Sequence, residues 1–191
     1  LLQDFIVRGS VSNLKEKIFD DINLDNFNFS FFGDKKDFLI KNIFGETALF
    51  TIKEGDVRIE LLPEISLKSN FKSSIKYKGE ITSYKNIINN FKLINEIKSL
   101  TAELNNTISI DFDKTYKIKQ YNYQGTGEIT NASLDFKQPI KNPISEYEIN
   151  QLSLINSNLK ANFNKGKTDI VLSGKYSLNE GNFLNFNLEN S

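Results

Sequence analysis

The chain has 191 residues, with 24 Lys+Arg balanced by 24 Asp+Glu, no Cys, His, Met or Trp, and 16 Phe beside 7 Tyr. Without Cys there is no disulfide framework or thiolate site, and without His there is no imidazole base and no Ser-His-Asp triad. The balanced charge lacks the Lys/Arg excess of a nucleic-acid binder, so no nucleic acid is expected as a partner.

The order of apolar and polar residues is the main signal. Phe27, Phe29 and Phe31 alternate with Asn28 and Ser30, and Gly33-Asp34-Lys35 reads as a turn. Phe38 and Ile40 continue the alternation, and Gly45 marks a break. Ala48, Phe50 and Ile52 then Val57, Ile59 and Leu61 predict two short strands joined by a hairpin at Glu54-Gly55. Segment 65–78 is the clearest: Ile65, Leu67, Phe71, Ile75 and Tyr77 lie on one face with Ser69 and Ser73, and Lys68, Lys72, Lys76 and Lys78 on the other. As a strand it would be about 46 Å long.

Segment 83–104 departs from this. Tyr84, Ile87, Ile88, Phe91, Ile94, Ile97, Leu100 and Leu104 recur at spacings of three and four, which predicts an amphipathic helix ending at Asn105-Asn106. Alternation returns with Ile108, Ile110 and Phe112. Over 115–137 the apolar parity changes between Tyr121/Tyr123 and Ala132/Leu134/Phe136, which predicts a bulge marked by Gly125 and Gly127. Over 147–163 Tyr147, Ile149, Ile155, Leu159, Ala161 and Phe163 share a parity. Ile170, Leu172, Tyr176 and Leu178 precede a turn at Asn179-Glu180-Gly181, and Leu184, Phe186 and Leu188 follow it.

The candidate chemistry is sparse. Asp111 and Asp113 share a strand face, as do Glu146 and Glu148, and Asp34 and Asp37 flank two lysines; each set reads as a solvated face or turn rather than an acid/base pair or cation site. Phosphate loops and nucleophile elbows are missing, so no metal, cofactor or catalytic residue is expected and the chain reads as a non-enzyme. The row Lys68, Lys72, Lys76 and Lys78 reads as the wet side of a sheet that discourages aggregation. Asn and Lys are abundant enough to suggest codon bias, so signals built on them are discounted.

The apolar rows read as the lining of an open trough. They comprise Phe27, Phe29, Phe31, Phe50, Ile52, Val57, Ile59, Leu61, Ile65, Leu67, Phe71, Ile75, Tyr77, Ile108, Ile110, Phe112, Ile155, Leu159, Phe163, Ile170 and Leu172. Ser69, Ser73, Ser153 and Ser157 would leave room in it. The expected fold is mainly β: a long twisted antiparallel sheet curled into an apolar groove, with one helix near 83–104. Residues 1–82 would form a β-meander and 105–191 its continuation, all as one unit and a fragment of a longer chain.

The stretches IKNIFGETALFTIKEGDVRIELLPEISLKSNFKSSIKY, QYNYQGTGEITNASLDF and INQLSLINSNLKANF resemble parts of AsmA-like envelope proteins of the YhdP/TamB type. The resemblance implies an internal stretch of a periplasmic protein anchored in the inner membrane of a Gram-negative cell. Its groove would carry phospholipid acyl chains between inner and outer membranes, reaching both through terminal parts of the longer chain. The rival expectation is a structural or adhesive β-sandwich of a surface protein, with a closed core.

Overall fold

The computed structural model describes residues 5–19, 22–78, 95–141 and 147–190. They form ten strands: β1 (Ile6–Phe19), β2 (Ile22–Asp34), β3 (Asp37–Glu46), β4 (Phe50–Glu60), β5 (Ser66–Tyr77), β6 (Asn95–Phe112), β7 (Ile118–Lys141), β8 (Glu148–Asn164), β9 (Lys167–Leu178) and β10 (Leu184–Asn190). Their order in the sheet is their order in the chain, and every pair is antiparallel. Such a meander needs only short connections. Asp34 makes one of them by accepting hydrogen bonds from the backbone N–H of Lys36 at 2.7 Å and Asp37 at 2.9 Å. Gly166, at φ 96°, makes another.

The register sorts the side chains into two faces, because directly paired residues lie on the same side. Ile59 pairs with Leu67, Leu67 with Ile110, and Ile110 with Tyr121. Phe31 pairs with Ile40 and Ile40 with Val57. Leu159 pairs with Leu172 and Leu172 with Leu188. One face is thus apolar from β1 to β10. The opposite face carries Arg58 beside Lys68, Lys68 beside Ser109, and Asp56 beside Asn70.

Keeping that face continuous requires extra residues. Asn13, Asn26, Asn42 and Asn156 have φ of 54°, 49°, 55° and 45°. Each is the surplus residue at a register shift, in β1, β2, β3 and β8 respectively. Asn tolerates the left-handed region better than other non-glycine residues, so it is a natural bulge residue.

Among the described residues the sheet has no second layer. Packing is concentrated between strands adjacent in the chain, and β1 and β10 are each paired on one side only. A compact globule of this mass would expose ~9,300 Å², whereas the chain exposes 13394 Å². Among the described residues few apolar side chains are buried: Ile43, Tyr77, Ala102, Ala132 and Leu154. Most of the apolar row is half-buried, covered by in-plane neighbours and open above.

Several expectations are corrected here. The sheet is neither closed nor strongly curled, so it forms no groove. It is equally not a sandwich with a closed core, since one layer cannot enclose one. No helix occurs among the described residues. Positions 83–94 of the expected helix lie outside them, and 95–104 belong to β6. The three-residue step from Ile97 to Leu100, which looked helical, is a bulge: Ile97 pairs with Leu134, Leu100 with Ala132, and Lys98 is the surplus residue. Pairing with β7 along its length, and with β5 from Leu100 onward, overrides the local pattern.

Glu54-Gly55 is no hairpin; it lies inside β4, and the register shift sits between Ile52 and Glu54. Gly45 likewise lies within β3. The parity change in β7 is real but falls between Ile129 and Asn131, while Gly125 and Gly127 stay in register.

Candidate functional site

The apolar face is the feature with functional content, and its surface is built by cross-strand contacts. Phe27, Phe29 and Phe31 form a ladder with ring centroids 5.6 and 6.3 Å apart, and Phe31 stacks on Phe38 at 5.9 Å. Tyr123 stacks on Phe163 at 5.6 Å, and Tyr176 meets Phe186 edge-on at 5.8 Å. Glycine provides the room: a Cβ on Gly55 would lie 2.4 Å from the Phe71 ring, its cross-strand partner. Aromatic rings lying over paired glycines recover the contact area a missing side chain would lose.

Most of the expected lining residues with a paired register share this face, among them Phe27, Phe29, Phe31, Phe50, Ile52, Val57, Ile59, Leu67, Phe71, Ile75, Ile108, Ile110, Leu159, Phe163, Ile170 and Leu172. Tyr77 pairs with Leu100 on the same face. Ile155 is the exception. It pairs with Asn131 and with Lys175, and the bulge at Asn156 puts it on the opposite face, while Leu152 and Leu154 take the apolar side.

The serines do not hollow the face. Ser73 is nearly closed over because Asn106 donates to its hydroxyl oxygen at 3.1 Å. Asn106 in turn accepts the Tyr123 hydroxyl at 2.8 Å. Partial burial raises the Tyr123 phenol above its ordinary pKa. Ser157 is completely buried beneath Gly174, and its hydroxyl bonds to the carbonyl of Ile155 at 3.0 Å. A polar inlay, satisfied within itself, therefore crosses β5, β6 and β7 on the apolar side. Sequence reading missed Asn106 because it stood at the supposed helix end.

The opposite face is a lattice of ion pairs. Lys72 bonds Glu54 at 2.8 Å, Arg58 bonds Asp37 at 3.0 Å, and Lys119 bonds Glu64 at 2.9 Å. Lys68 lies 3.8 Å from Glu60. Two of the four lysines of the expected cationic row are thus matched by carboxylates. The bond and charge of Glu54 hold Lys72 above the usual lysine range.

The carboxylate candidates do not converge. Asp113 accepts the Thr115 hydroxyl at 2.6 Å and the N–H groups of Thr115 and Lys117, which together hold it below the usual carboxylate range. The N–H groups of Asp37 and Lys36 lower Asp34 in the same way. Both are turn-makers. Glu146 lies outside the described residues. Among the described residues, no three acidic side chains gather where a metal ion would be held. Shallow depressions, such as one lined by Glu54, Asp56, Asn70, Lys72, Asn105 and Thr107, open mainly on the charged face. Among the described residues, these depressions do not run along the apolar rows.

Without a trough, the expected mechanism of acyl chains sliding along a groove loses its geometry. The lipid-transport reading is therefore withdrawn. No family model, no curated protein and no solved structure matches the chain, so the AsmA-like resemblance rests on the quoted stretches alone.

Proposed function

We propose that the chain is a non-enzymatic structural module that associates through its apolar sheet face. One observation carries this: ten strands present an apolar face with no second layer over it among the described residues, while the other face carries ion pairs. Antiparallel sheets usually pack one face on a core and solvate the other. Here the charged face meets that description for water, and the apolar face is the one that needs a cover. The carboxylates that chemistry would require are occupied in turns and ion pairs.

The test compares the two faces of one strand pair. The wild-type chain should self-associate or bind an apolar dye such as anilinonaphthalene sulfonate. Lysine at Ile75 or Ile108 should abolish both responses, and lysine at Asn70 or Thr107 should leave them intact. A wild-type chain that neither associates nor binds dye would overturn the reading, as would equal effects from both faces.

A further inference from the structure

We infer that the cover of the apolar face is the same face of a second copy of this chain, giving a two-layer sandwich. This rests on the reading of that face as an association surface. Three observations favour a second copy.

The first is charge. At the described paired positions of this face from Phe38 on β3 to Tyr176 on β9, the charged residues are Lys141 and Glu148 at the far end of β7 and β8, and they pair with each other at 3.5 Å. Two such faces meet without trapping an unpaired ion, the costliest error an interface can contain. The second is polar satisfaction. Ser73, Asn106 and Tyr123 bond to one another, and Ser157 bonds to its own strand, so covering them strands none of these groups. The third is area. The chain exposes 13394 Å². That is ~4,100 Å² beyond a compact globule of its mass. A stable pair needs only ~800 Å² from each partner, and obligate homodimers bury more.

The geometry is that of sheets stacked ~10 Å apart with strands roughly aligned. A two-fold axis near β5 and β6, the middle of the ten strands, would set Ile75, Leu104 and Ile108 against their counterparts. The ion-pair lattices would then form both outer surfaces.

Sedimentation of the full 191-residue chain over a concentration series tests this. The expected species has about twice the 21.9 kDa chain mass. Ile75→Lys and Leu104→Lys should each convert it to a monomer, while Thr107→Lys on the charged face should leave the dimer intact. Circular dichroism checks that the variants keep their strand content. Should the lysine variants not fold, the chain's lack of Cys gives a second route. Ile108→Cys should be captured as a covalent dimer by a bismaleimide spanning ~10 Å, the distance between layers, and Thr107→Cys should not. A monomer at every concentration overturns the proposal. If that monomer binds the apolar dye or phosphatidylcholine vesicles, or if the chain associates without a defined dimer, the second copy is wrong but the association surface stands. If it does neither, both fall.

Discussion

Tyr123 on β7 donates its hydroxyl hydrogen bond to Asn106 on β6 at 2.8 Å, on the apolar side of the sheet. Asn106 passes the connection on to Ser73 of β5. The three residues tie three strands in one register, since slipping either pair by one residue would move a partner to the other face. Asn106→Leu should leave the Tyr123 and Ser73 hydroxyls without this partner and cost about 1–3 kcal/mol. Adding Tyr123→Phe to it should recover part of that loss. Urea denaturation of the two variants checks the order.

The same phenol makes stability depend on alkaline pH. Burial raises its pKa in the folded state above the unfolded value. Its contribution is complete below the unfolded pKa and is lost as pH rises through the folded one. Wild-type stability should therefore decline through the tyrosine range and above it more steeply than that of Tyr123→Phe. Denaturation midpoints from neutral pH upward measure the difference. Parallel curves would contradict it.

Asn156 should be replaceable by glycine but not by a β-branched residue. Its φ of 45° lies in the left-handed region, where an L residue pays roughly 1–2 kcal/mol. Asn156→Val should lose about that much stability. Asn156→Gly should be close to neutral, with the bulge retained. Thermal unfolding of both variants decides whether the bulge residue matters through its backbone conformation.

Gly174 lies where a side chain has no room. An added Cβ would fall 2.5 Å from the Cα of Ser157, which is backbone and does not rotate away. Gly174→Ala should force β8 and β9 apart and cost about 1–3 kcal/mol, as overpacking does elsewhere. Ser157→Gly in the same chain should not rescue it, because the clash includes main-chain Cα. Hydrogen exchange across β8 and β9 should rise in the variant.

Strand faces were legible where alternation ran without interruption. Ser66–Tyr77 is β5 almost as its parity predicts, and the rows through Phe31, Ile59 and Leu172 fall on one side. What escaped was the means of keeping those rows aligned. The abundance of Asn suggests codon bias, yet Asn13, Asn26, Asn42 and Asn156 each occupy a bulge. Reading them as left-handed residues would have placed Ile155 on the correct face. The stretch Ile97–Leu104 looked helical because one bulge at Lys98 turns a two-residue step into three. A trough was expected because parity shows which side is apolar but not how far a sheet bends. Asn106 shows a related limit: its amide fills the space that Ser73 seemed to leave empty.

The chain-ordered pairing described for the sheet has a consequence for how the molecule assembles. Except between β5 and β6, whose link spans residues 78–94, each connection is short, so closing those hairpins costs little loop entropy. Structure can nucleate at any adjacent pair and propagate outward one strand at a time, as in repeat proteins. Such a protein behaves as a one-dimensional array. Damage to a terminal strand should remain local, whereas damage at β5 to β7 should split the array into two shorter pieces.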